Sequence, residues 1–236
     1  MPETGETMVV TEFDQRAAAI AMAEWWFFGS PYVDGESSTL QIHTAPGSHG
    51  VPGDESKDGW RHRTWTYMKV GVYPDSDGWE SQKAEPWSAA FISFVMRTAG
   101  AKSRFPYSMS HSTYVSKAVL NRLSGNTQDT IVAYRSDEIV PLVGDLMWRG
   151  RKSEDPAQVD TSGWGLDDIA AYIKAGGDSF PSHCDLVVRT DLQAKQIYLI
   201  GGNVRDRVLR TRVTTDANGL AKGAAHTVVL RNNIAE

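Results

Sequence analysis

Apolar residues change their period once along this chain, and that change restricts the fold more than any composition figure. Helical spacing governs the first half and short alternating or continuous apolar runs the second. The first helical pattern runs from about Phe13 to Phe28. Thr11 is placed to cap it, Asp14 follows at the capping-box interval, and the Ala-rich spacing leads into Trp25, Trp26, Phe27 and Phe28. Trp87–Ala99 reads as a further helix, with Ala89, Phe91, Ile92, Val95 and Met96 on its apolar positions and Gly100 as its stop. Ser110 opens another that runs to about Leu123 and ends at Ser124, Gly125 and Asn126. Strand patterns then follow at Ile131–Tyr134, Leu146–Arg149, Asp185–Arg189, Gln196–Ile200, Val208–Val213 and Thr227–Leu230. Helices first and an antiparallel sheet afterwards is the order of an α+β fold.

Two stretches interrupt that order. Residues 29–85 are rich in Gly, Pro, Ser and Asp around an aromatic island, Trp60 to Tyr73, and are too long for a structureless loop in a compact domain. They are predicted to be an insertion that packs over the side carrying the chemistry. Residues 150–177 are polar at first, then carry a short helical pattern at Leu166–Lys174, and form a second insertion. The expected organisation is one domain over 1–236 with a core at 86–213. Neither internal repeats nor low-complexity tracts interrupt it.

Composition excludes several functions. At 236 residues, with 41% hydrophobic and 22% charged residues, the chain can bury a full core. Its net charge of −5 leaves no basic footprint for nucleic acid. The mild cluster Arg205, Arg207, Arg210 and Arg212 has spacing closer to a strand face than to a nucleic-acid arm. The single cysteine, Cys184, rules out an internal disulfide and a thiolate-rich zinc site. His43, His49 and His62 lack ligand-like spacing, so neither a metal nor a cofactor is expected. No run approaches the roughly 20 apolar residues of a membrane span. Met1 to Val10 is acidic and polar, unlike a cleavable signal peptide. The expectation is a chain cytoplasmic as produced, or exported to the envelope by a signal-independent route. Its oligomeric state is not encoded in any of these patterns.

Ser88 falls at the first turn of the Trp87–Ala99 helix, where a serine is ordinarily an N-cap. The same place suits a nucleophile, because free N–H groups and the positive end of the helix dipole favour a developing oxyanion. The surrounding string, Pro86-Trp87-Ser88-Ala89-Ala90-Phe91-Ile92-Ser93-Phe94-Val95, resembles the Trp-Cys-Ala-Ala-Phe-Val-Ser segment of NlpC-like and CHAP-like papain-type cell-wall amidases. Three landmarks follow in that family's order. Val143-Gly144-Asp145-Leu146 is similar to the segment that starts the first core strand. Ser182-His183-Cys184-Asp185-Leu186-Val187-Val188 is similar to the strand bearing the catalytic histidine. Ile200-Gly201-Gly202-Asn203-Val204-Arg205-Asp206-Arg207-Val208 is similar to the strand whose polar residue orients that histidine. The combination, with serine in the key slot and His-Cys-Asp behind it, resembles the bacterial domain-of-unknown-function family 2272.

Position by position, the resemblance implies Ser88 as nucleophile, His183 as general base and then acid, and Asn203 as orienter of the imidazole. It implies hydrolysis of amide or peptide bonds in peptidoglycan, with stem peptides or another peptide-like molecule as partner. The exchange of sulfur for oxygen opens other readings: a silent module that binds cell-wall peptides or a protein partner, or a serine introduced to inactivate a native cysteine. An antagonism effector is a further role for such an amidase.

Neighbouring residues complete the candidate site. Strand alternation turns Cys184 to the core if His183 faces the site, and returns Asp185 to the face of His183, as a contact to the base or to substrate or as a solvated charge at the strand end. His111, at the start of the helix after Ser110, borders the expected cleft and either touches substrate or packs at the helix start. Tyr107 and Trp87 are further candidate substrate contacts, and Trp60, Trp65, Tyr67 and Tyr73 either stack on sugar rings or pack the insertion.

Overall fold

The computed structural model describes residues 10–34, 40–42, 54–56, 59–75, 86–153, 155–221 and 225–234. In chain order the described elements are α1 (Glu12–Phe27), β1 (Pro31–Asp34), β2 (Gln41–Ile42), α2 (Trp60–Gly71), α3 (Ser88–Ala99), α4 (His111–Leu123), β3 (Ile131–Arg135), β4 (Leu146–Gly150), α5 (Leu166–Lys174), β5 (Ser182–Asp191), β6 (Gln196–Gly201), β7 (Leu209–Thr214) and β8 (Val228–Asn232). The fold is α+β, with the helices packed on one eight-stranded sheet ordered β2-β1-β7-β6-β5-β4-β8-β3.

Local chemistry explains why the elements start and stop where they do. The Thr11 hydroxyl accepts the Asp14 N–H at 3.2 Å while the Asp14 carboxylate accepts the Thr11 N–H at 2.9 Å, so the capping box read from sequence opens α1. Gly100, at φ 99°, takes the left-handed conformation that ends α3. Apart from Arg97 and Thr98, α3 is buried on every side, because α1 and α2 flank it and β5 and β6 lie beneath it.

Every pairing in the sheet is antiparallel except one: β1 runs parallel to β7, Tyr32 against Arg210 and Asp34 against Arg212. That corrects the purely antiparallel sheet expected from the strand patterns. Gly29 and Ser30, both at positive φ, turn the chain out of α1 and lay β1 along the β7 edge. Nearly the whole core is then the crossover that a parallel pair requires.

The aromatic island of residues 29–85 forms the helix α2. Trp60, Thr64, Tyr67 and Gly71 recur at helical spacing, and the fully buried Tyr67 ring meets Phe91 at 5.4 Å and Phe94 at 5.0 Å. The rest of residues 29–85, where described, includes β1 and β2. His43 and His49 lie outside the described residues.

Alternation along the strands divides the sheet into two faces. Leu146, Trp148, Cys184, Leu186 and Ile200 pack under the helices. Met147, Val187, Ile197, Leu199 and Val213 form a second cluster on the opposite face, covered by Ala221. Among the described residues no helix is long and apolar enough to cross a membrane.

Candidate active site

Ser88 is the first residue of α3, and among the described residues no side chain caps that helix. Its hydroxyl is directed instead to His111 Nε2, 2.7 Å away, with both residues only 4% exposed. His111 opens α4, and one turn on the Tyr114 hydroxyl makes a short hydrogen bond to His111 Nδ1. Tyr114 in turn meets the Cys184 thiol, which faces the core under the helices. With Nδ1 donating to the tyrosine oxygen, Nε2 presents its lone pair to the Ser88 O–H, the tautomer a general base needs. The N–H groups of Ser88, Ala89 and Ala90, in the first turn of α3, have no intrahelical acceptor.

A second array meets the first at the end of the strands. His183 and Asp185 stand two residues apart on β5 and therefore share a face, as alternation requires. His183 Nε2 lies 2.9 Å from Asp185 Oδ1, and His226 Nε2, just ahead of β8, lies 2.7 Å from Asp185 Oδ2. A carboxylate can only accept, so each Nε2 carries its proton, and His183 Nδ1 keeps an unshared pair with no partner among the described residues. The His111 and His183 rings are 5.2 Å apart between centroids and inclined at 59°.

Gly201 and Gly202 let the backbone of β6 pass between these groups. A Cβ on Gly201 would stand 1.8 Å from Asp185 Oδ1, and one on Gly202 would stand 2.4 Å from Phe91 Cβ. The Gly-Gly pair read from sequence is therefore a requirement of space rather than of turn geometry.

Burial dominates the electrostatics. It pushes His111 well below the ordinary imidazole range, and the neighbouring His183 adds to that shift. His183 is also lowered by burial, against the opposing pull of the Asp185 carboxylate. Burial works to raise Asp185, but the charge and N–H of His183, with the N–H of His226, overcome it and hold the carboxyl well below the usual range. Near neutral pH the arrangement is thus two neutral imidazoles beside one carboxylate.

These distances place the side chains differently from what the resemblance implies. The histidine on the Ser88 hydroxyl is His111, whose ring reaches it from the first turn of α4, rather than His183. The group that orients His183 is Asp185. Asn203 sits at φ 54° beyond the end of β6 and lines a cavity with His183, but its amide makes no hydrogen bond among the described residues. Trp87 is 1% exposed, stacked on Phe28, with its indole N–H on the Glu55 carboxylate, so it is a core residue rather than a wall of the cleft. Tyr107 donates its hydroxyl to the Lys102 carbonyl at 2.6 Å and lies under the Arg97 guanidinium, away from the histidines. His226 was not singled out by sequence reading. Its only signal is a polar residue immediately before a strand, and what matters about it is the long-range insertion of β8 between β4 and β3.

Among the described residues no group of three or more His, Cys, Asp and Glu side chains is placed to hold a metal ion. Fold and site together define an α+β protein with a hydroxyl–imidazole pair at a helix N-terminus. Within that class, the chain belongs to the bacterial family described as "Uncharacterized protein conserved in bacteria (DUF2272)", which it matches over residues 14–234. No curated protein and no solved structure matches it.

Proposed function

We propose that this protein is a papain-like hydrolase of amide or peptide bonds, acting on peptidoglycan stem peptides through an acyl-enzyme on Ser88. The observation that carries the reading is the 2.7 Å contact between Ser88 Oγ and His111 Nε2 at the N-terminus of α3. His111 takes the hydroxyl proton as Oγ attacks the carbonyl carbon. The resulting oxyanion is held by first-turn N–H groups, and the proton passes to the departing amine. Water then releases the acyl group by the same steps. Tyr114 fixes the His111 ring, while His183, held by Asp185, packs against its other flank at 5.2 Å between centroids.

Purified protein incubated with peptidoglycan fragments, beside Ser88→Ala, His111→Ala and His183→Ala, tests this by mass spectrometry of the products. The first two variants should lose about a hundredfold or more of the rate. Identical product profiles from all four proteins would sink the hydrolase reading.

A catalytically silent module that binds cell-wall peptides is the second reading, favoured by the near-complete burial of Ser88. A fluorophosphonate adduct on Ser88 of the wild-type protein eliminates it. Peptidoglycan binding that persists with Ser88 unmodified supports it.

A further inference from the structure

One cavity of about 370 Å³ opens on the sheet face that carries His183. Its walls include Arg149, Arg151, His183, Asn203, Arg205 and Thr211, and among the described residues no acidic one lines it. Arg149 is the direct cross-strand neighbour of His183, so the two side chains leave the sheet on the same side. Arg151 follows two residues later. Neither guanidinium has a carboxylate partner among the described residues, in a chain whose net charge is −5. Burial and the adjacent Arg149 charge both press Arg151 below its ordinary value. Two neighbouring cations without a counter-charge repel each other, and an anion between them relieves that cost while gaining charge-assisted hydrogen bonds. His183 is the element common to both places: it lines the cavity and its ring packs against His111, which holds Ser88.

We propose that the cavity of Arg149, Arg151 and His183 is a subsite for a free carboxylate of a peptide-like substrate. It would anchor the acid end while the bond to be cleaved lies toward Ser88 and His111. The assignment of the bound molecule as a substrate rests on the hydrolase reading; the anion site itself does not.

Calorimetry on the Ser88→Ala protein, in which an acyl-enzyme cannot form, separates the two. The probes are N-acetyl-alanyl-glutamine, which carries one free carboxylate, and N-acetyl-alanyl-glutamine amide, which carries none. The acid should bind at least about tenfold tighter than the amide, a difference of one charge-assisted pair. That preference should vanish in a background carrying Arg149→Met and Arg151→Met, persist in part with Arg149→Lys, and weaken with added salt. Circular dichroism confirms that each variant is folded. Equal affinities, no detectable binding of the acid at millimolar concentration, or a preference that survives the double arginine change overturns the subsite. Inorganic phosphate that displaces the acid at equal concentration overturns the carboxylate assignment in favour of a general anion site. Should peptide cleavage be absent while the preference for the acid holds, the hydrolase reading falls and the subsite stands.

Discussion

Ser88 and His111 each open a different helix, so their contact depends on how α3 and α4 sit on the sheet and not on either loop alone. Because His111 is held well below the ordinary imidazole range, it is already neutral at pH 6.5. The acid limb of kcat/KM on a peptidoglycan fragment should therefore lie below pH 6.5, and a limb at or above 7 would remove His111 as the base. Asp185→Asn replaces an acceptor of two imidazole N–H groups with a side chain that can satisfy only one by its oxygen. It should cost about 1–3 kcal/mol in urea denaturation. Gly201→Ala, which drives a methyl into Asp185, should cost a comparable amount. At this scale the sequence placed much of the cluster: Ser88 at a helix start, and His183 and Asp185 on one strand face. The resemblance pairs the hydroxyl with His183, whereas the imidazole within hydrogen-bond distance is His111; a helix-start histidine twenty-three residues from Ser88 shows no periodic relation to it. Asn203 is implied by motif alone, and no motif states the positive φ that its backbone adopts beyond β6.

Between α2 and α3 the helices meet backbone to backbone. A Cβ on Gly71 would stand 2.6 Å from Phe94 N and 2.8 Å from Ala90 O. Gly71→Ala should lower the unfolding free energy measured by urea denaturation by about 2 kcal/mol or more, since neither backbone can yield without moving a helix. A change within a few tenths would show that α2 floats on α3. The principal helices and strands from Phe13 to Phe28 and from Trp87 onward were legible because each carries a clean period and a cap or stop. In residues 29–85, Gly, Pro and Asp flank short elements whose apolar residues face one long-range partner each. β1 shows only Tyr32 and Val33, and its parallel pairing depends on β7 nearly 180 residues later.

Across the molecule, burial of titratable groups sets the response to acid. His111 and His183 have folded values below the unfolded imidazole value near 6.5, so the unfolded chain binds more protons below that pH and stability falls as pH drops from 6.5. Asp185 adds a loss at lower pH, as protons reach its depressed folded value. Asp145 runs the other way. Burial raises it to about 6 despite Arg231, so between about 6 and 4 the folded state holds the extra proton and gains stability as pH falls. The thermal midpoint should decline from pH 7 to pH 5, and the decline should be shallower in His111→Gln; parallel curves would show that His111 does not contribute. The strand order carries a further consequence, one of timing. β8 lies inside the sheet between β4 and β3, and the residue just ahead of it, His226, completes the grip on Asp185. During synthesis, β3 and β4 must wait, unjoined, for a segment that emerges about ninety residues after β3. Contacts of such long sequence separation form slowly. A chain released before residue 226 would lack both the strand that joins β3 to the rest of its sheet and the last hand on its carboxylate, so the chemistry and the fold become available together, late and in one step.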